Sequence, residues 1–236
     1  MYNVENLKFK YKKTDEYILD NVSFSLKKDK LNVIVGLNGS GKTTLFDCLT
    51  SVLKPESGQI QFPRYHDILY LTQTLFFSYE LKGKDFANFI MRLDNKAKIK
   101  DPSSLASEEH PDEIQLLSKL WNRKIGKMSL GERRWLFVFF LTKIDKPLYI
   151  LDEPTSAVDP ISRLKIIEKM KQLIASGKVC VCSTHQLQDL LFEDCHIIFL
   201  HQGKIKYEGS FYDWLEINET QNPDIAFERM TKEIAL

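Results

Sequence analysis

The sequence predicts an α/β fold with an antiparallel β segment at its N-terminus and a helical subdomain inserted in its middle. Three observations predict it. Short apolar runs alternate with helical segments towards both ends of the chain, the pattern that builds a mostly parallel sheet. Near the N-terminus, apolar residues recur at every second position. From about Thr74 to Ile144 the patterning is helical, with no buried-strand run.

Leu7, Phe9 and Tyr11 share one strand face and Val22, Phe24 and Leu26 share another, with Thr14-Asp15 as the turn between them. Leu31–Val35 is apolar enough to be a strand buried on both faces. Residues 43–53 place Leu45, Leu49, Val52 and Leu53 at helical spacing, and Pro55 and Gly58 end the helix. A short strand follows at 59–62. Three later strands are expected at 148–151, 178–183 and 197–200. The helix between Asp152 and Lys178 has Asp159 to cap it, Pro160 in its first turn and Gly177 past its end. In the middle, Ile114, Leu117, Leu120 and Trp121 fall on one helical face, and 101–112, rich in Pro, Ser and Glu, reads as an exposed loop. One domain, 1–236, is expected: an α/β core (1–73 and 146–210), a helical subdomain (74–145) and a short helical tail (211–236).

Composition narrows the function. Hydrophobic residues make up 43% and charged residues 28% of 236, which suits a globular chain. Lys and Arg number 33 against 32 Asp and Glu, so no basic excess points to nucleic acid, and none is expected as partner. The longest apolar stretch, 135–141, is far below the roughly 20 residues of a membrane span. The first five residues lack the basic start and apolar run of a signal peptide. A cytosolic chain is expected, and any membrane part would come from another chain. Cys48, Cys180, Cys182 and Cys195 lack metal-ligand spacing and read as small core residues.

Residues 36–43, Gly-Leu-Asn-Gly-Ser-Gly-Lys-Thr, match G-x-x-x-x-G-K-[ST] in full, between a buried strand and an amphipathic helix. Gly36, Gly39 and Gly41 let the backbone curl, so that N–H groups of Asn38, Ser40 and their neighbours converge on an anion. The helix beginning near Lys42 adds its positive end. Lys42 would reach the β- and γ-phosphates, Thr43 would ligate Mg²⁺ and Thr44 would reach the α-phosphate. The motif implies a P-loop NTPase (RecA-like) core that takes a nucleoside triphosphate with Mg²⁺, a property shared by kinases, GTPases and many ATPases; that the nucleotide is ATP rests on the rest of the chain.

The run Leu148–Leu151 ends in Asp152-Glu153. Strand C-termini line the ligand crevice of a parallel sheet. Asp152 can then hold the Mg²⁺ shell, and Glu153 can orient the attacking water and take its proton. His185 follows the next buried strand and would face the same crevice.

Taken in order, these residues resemble the ATP-binding subunit of ABC transporters, over about 2–209. Tyr11 stands where that family has an aromatic residue against adenine. Residues 36–43 correspond to its Walker A loop. Gln73 corresponds to a glutamine that touches Mg²⁺ and the membrane partner. Ser129-Leu130-Gly131-Glu132 falls at the signature motif, 148–153 at Walker B with its adjoining glutamate, Asp159 in the D-loop and His185 at the switch histidine. The resemblance implies an ATPase motor at the cytoplasmic face of the cell membrane. It implies a separate transmembrane permease and a second ATPase subunit, identical or different, bound head to tail. Ser129 and Gly131 would then meet the ATP held by the partner subunit. The signature departs from the usual L-S-G-G-Q at Leu130 and Glu132, which places an extra carboxylate near a triphosphate. The Ser-Leu-Gly form, with Asp159-Pro160, looks like the branch that exports drugs and antimicrobial peptides, so export is expected over import of a small cargo. A soluble member of the family acting on ribosomes or DNA would be expected to show a second ATPase unit, a long insertion or a basic surface, and the sequence has none of these.

Overall fold

The computed structural model describes residues 2–12, 14–74, 77–106, 109–190 and 194–232. In chain order the strands and helices are β1 (Tyr2–Phe9), β2 (Leu19–Leu26), β3 (Leu31–Val35), α1 (Lys42–Leu49), β4 (Ser57–Gln61), β5 (Ile68–Leu71), α2 (Gly83–Leu93), α3 (Pro111–Trp121), α4 (Leu130–Leu141), β6 (Leu148–Leu151), α5 (Pro160–Ala175), β7 (Val179–Ser183), β8 (Cys195–His201), β9 (Lys204–Ser210), α6 (Phe211–Ile217) and α7 (Pro223–Lys232). They form two compact units, one of Met1–Gln73, Lys146–Ser156 and Lys171–Leu236, the other of Thr74–Asp145 and Ala157–Met170.

The first unit holds two sheets. One is antiparallel, ordered β2-β1-β4; the other has six strands, ordered β5-β6-β7-β3-β8-β9. All neighbours in the second sheet are parallel except β8 and β9. Every residue of β3, β6, β7 and β8 is buried, as strands covered on both faces must be, which explains why they are mostly apolar. Leu7, Val22, Ile34, Phe46, Ile150, Val181 and Ile198 belong to its core. β9 carries no comparable signal, because it alternates exposed with half-buried positions. β5, Ile-Leu-Tyr-Leu, has a short apolar run like that of β6 and forms a strand the sequence reading did not include. The helix expected over 43–53 ends at Leu49, and Val52 is exposed rather than on a packed face.

The same unit carries the tail. Phe227 of α7 and Trp214 of α6 both pack on Phe199 of β8, at ring distances of 5.5 and 6.3 Å. All four cysteines are buried and free, and burial pushes the Cys180 thiol up to about 12.

In the second unit, Phe86 of α2 packs on Phe137 of α4 at 4.4 Å between ring centroids. The described residues of the 101–112 segment are mostly exposed, as its composition suggests, with three departures. Pro102 and Leu105 are buried in a 3₁₀ turn. Glu109 is only 6% exposed because Lys143 and Lys169 bind its carboxylate, and Lys169 also pairs with Glu113 at 2.8 Å. Charges read locally as a solvated run are neutralised by lysines distant in sequence. Residues 157–170, which begin α5, cluster with this unit, although their sequence pattern suggested the α/β core.

Candidate active site

The phosphate loop leaves β3 at Gly36, where a Cβ would lie 2.2 Å from the Leu200 carbonyl oxygen of β8, so only glycine permits the close turn. Gly39 and Gly41 have φ of +81° and +104°, the left-handed geometry that curls the loop onto the start of α1. Asn38, Gly39, Gly41, Lys42, Thr43 and Thr44 line a cleft of about 630 Å³ together with Tyr11, Gln73, Glu153 and His185. The Ser40 hydroxyl is buried without a hydrogen-bond partner. Lys42 Nζ donates to the carbonyls of Gly36 at 2.8 Å and Leu37 at 3.1 Å, so the ammonium is folded back across its own loop. Burial lowers its pKa, against the pull of Glu153 and Asp152.

β6 delivers both carboxylates. The Thr43 hydroxyl donates to Asp152 Oδ2 at 2.7 Å. Glu153 adopts φ +47°, a conformation rare for a residue with a side chain and costly by roughly 1–3 kcal/mol. Its backbone N–H donates to Ser183 Oγ at 2.8 Å, and that hydroxyl donates to Asp152 Oδ1 at 2.5 Å. The Glu153 carboxylate accepts from Gln73 Nε2 at 3.0 Å and lies 3.5 Å from His185 Nδ1. Tyr11, also in the cleft lining, meets Phe9 edge-on, and its hydroxyl is 3.5 Å from Thr44 Oγ1.

Two residues of this site escaped sequence reading: Ile18, which lines the cleft, and Ser183, which bonds both Asp152 and Glu153. Ser156, which begins the segment matched to the D-loop, lines the cleft as well. Ile18 carries no chemical signal. Ser183 ends a strand next to β6, and that adjacency was its one available clue.

Ser129, Gly131 and Asp159 belong to the second unit. Ser129 caps α4, accepting the Glu132 N–H at 3.1 Å, while Glu132 Oε2 accepts the Ser129 N–H at 3.0 Å. Lys119 and Arg123 bind the same carboxylate at 2.9 and 3.0 Å. Burial works to raise the Glu132 pKa, but Lys119, the Ser129 N–H and Arg123 outweigh it and hold the carboxyl below its ordinary value. The extra charge of the signature segment is thus held by Lys119 of α3, by Arg123 and by the cap of its own helix. A Cβ on Gly131 would lie 2.4 Å from Asp159 Oδ2, and Asp159 Oδ1 accepts the Ser162 N–H at 3.0 Å as the cap of α5.

Residues 19–156 match the family model described as ABC transporter. A similar curated protein is the Energy-coupling factor transporter ATP-binding protein EcfA1 of Fusobacterium nucleatum subsp. nucleatum, 28% identical over 93% of this chain and 86% of its own length. Among solved structures, an ATP-binding subunit of an ABC transporter aligns over 98% of this chain and 99% of its own, with TM-score 0.80 and 21% identity. A dimeric ATP-binding cassette in a post-hydrolysis state, bound to ADP and Pi, aligns over 89% of this chain and 98% of its own, with TM-score 0.71 and 21% identity.

Proposed function

Because this chain belongs to the ABC transporter family and is an ATPase, we propose that it drives a transporter of the energy-coupling-factor type by hydrolysing ATP in the cleft of its first unit. The observation that supports this most is the linkage of Thr43, Asp152, Ser183, Glu153, Gln73 and His185 around one phosphate loop. A triphosphate suits the cradle: Lys42 would exchange the Gly36 and Leu37 carbonyls for phosphate oxygens, and Tyr11 with Ile18 would flank the base.

Mg²⁺ suits the donors as well. Thr43, Asp152 and Gln73 offer oxygen ligands, and no group of three or more His, Cys, Asp or Glu able to hold a metal occurs among the described residues. One carboxylate plus a hydroxyl is the sparse protein set that Mg²⁺ uses when phosphate completes its shell. The bound ion would offset charge developing on the transferred phosphoryl group. Glu153 would orient water and accept its proton, while His185 steadies the same carboxylate.

The chain works with a membrane-spanning subunit and pairs with a second ATP-binding subunit at the cytoplasmic face. Ser129 and Gly131 would present their helix end to the triphosphate held by that second subunit. Similarity to the Fusobacterium protein favours the energy-coupling-factor type. The Ser-Leu-Gly signature at 129–131 keeps peptide or drug export as a second reading.

The test is purification of the tagged chain from its native cells in mild detergent, with mass spectrometry of what accompanies it. A polytopic membrane protein in near-equal amount is expected, and its sequence separates the two readings. Ribosomal proteins or nucleic acid without a membrane protein would overturn both.

A further inference from the structure

We propose that Gln188 is a positioning residue for ATP hydrolysis, held by the C-terminal tail so that the segment after β7 keeps His185 against Glu153. The inference rests on the role given to His185 above and adds a residue that no motif includes.

His185 stands two residues beyond β7, with its side chain half exposed. An imidazole at a strand end keeps its aim only if the backbone on both sides is fixed. On the N-terminal side β7 does this, and the Gln186 N–H closes a turn onto Thr184 Oγ1 at 2.9 Å. On the C-terminal side the chain enters a 3₁₀ turn, Leu187–Leu190, whose two leucines are buried. Between them the Gln188 amide donates to Asn222 Oδ1 at 3.1 Å and to Asp224 Oδ2 at 2.7 Å. Both N–H groups of one amide nitrogen are then committed, which sets the direction as well as the distance of the contact.

The acceptors are themselves rigid. Asn222 Oδ1 also accepts the Asp224 N–H at 2.9 Å, and Asn222 N–H donates to Thr220 Oγ1 at 3.1 Å. Pro223 and Ala226 of α7 are buried, and Phe227 sits on Phe199 of β8. β8 is the neighbour of β3, which launches the phosphate loop. The tail therefore braces His185 from the strand beside the one that leads into the phosphate loop, and Asp224 gains from lying in the first turn of its helix.

The test uses the full chain and steady-state ATP hydrolysis. Gln188→Ala is expected to lower kcat roughly three- to tenfold, the effect of one or two lost hydrogen bonds, with KM for ATP unchanged. Gln188→Glu sets a carboxylate against Asp224 and should lower kcat too. Adding Asp224→Asn to Gln188→Glu supplies a donor for the new carboxylate and should restore turnover. His185→Ala, measured in parallel, separates this inference from its premise. Loss of turnover in His185→Ala with parental kcat in Gln188→Ala overturns the positioning role alone. Unchanged turnover in His185→Ala removes the premise and the proposal with it. A fall in melting temperature that matches the loss of kcat in the Gln188 variants, with no rescue by Asp224→Asn, also overturns it, leaving the tail a merely structural contact.

Discussion

Ser183 donates its hydroxyl to Asp152 Oδ1 at 2.5 Å, and the same oxygen accepts the backbone N–H of Glu153 at 2.8 Å. One fully buried hydroxyl thus fixes a carboxylate beneath the phosphate loop and the unusual backbone that turns the next carboxylate towards the cleft. Ser183→Ala removes one hydrogen bond from each group. It should cost about 1–3 kcal/mol of stability and lower kcat as Glu153 relaxes from φ +47°. Thermal melting and steady-state hydrolysis check this; parental values in both would show the clamp to be idle.

Glu153→Gln keeps the shape and the contact with Gln73 but removes the base. Nucleotide binding should persist while kcat falls by about 10²-fold or more, and the ATP-bound form should accumulate as a dimer. Binding titration, phosphate release and light scattering report the three effects. Undiminished phosphate release would take Glu153 out of the mechanism.

Gly131 is held to glycine by Asp159. The Asp159 side chain cannot swing away cheaply, since its other oxygen caps α5 at Ser162. Gly131→Ala should destabilise the protein by roughly 1–3 kcal/mol through overpacking. If melting is unaltered, the carboxylate is freer than its cap implies.

Glu132 makes a pH-dependent contribution. Its folded pKa lies below the ordinary 4.5, so its stabilisation is complete above 4.5 and is lost as pH falls through the folded value. Glu132→Gln retains the capping geometry but not the ion pairs with Lys119 and Arg123. It should cost no more than about 1 kcal/mol at neutral pH, because both cations are partly solvated. The gap between parent and variant should close as pH drops below 4.5. Denaturant unfolding across that range measures it, and a gap independent of pH would assign the loss to packing.

Legibility in the sequence followed burial and local geometry. β3, β6, β7 and β8 announced themselves because both faces are covered, so most of their positions are apolar. β5 and β9 flank the same sheet at its edges; β9 was silent because its alternate positions are exposed, while β5 has an apolar run like that of β6 that was not read as a strand. The short spacing of 36–43 and the Asp152-Glu153 pair were readable for a similar reason: a loop that wraps an anion and a strand end that presents carboxylates are local designs. Glu109 was misread as solvated because its partners, Lys143 and Lys169, lie 34 and 60 residues away.

The chain alone therefore specified a triphosphate loop, a carboxylate pair and the α/β alternation that carries them, because each depends on residues close together in sequence. Tertiary structure decided what joins them. Ser183 beneath Asp152, Gln73 and His185 on one carboxylate, Ile18 beside the loop and the tail's grip on Gln188 are meetings between distant strands, turns and helices. Hydrogen bonds and packing act over a few ångströms of space, and only the folded sheet brings those groups within reach.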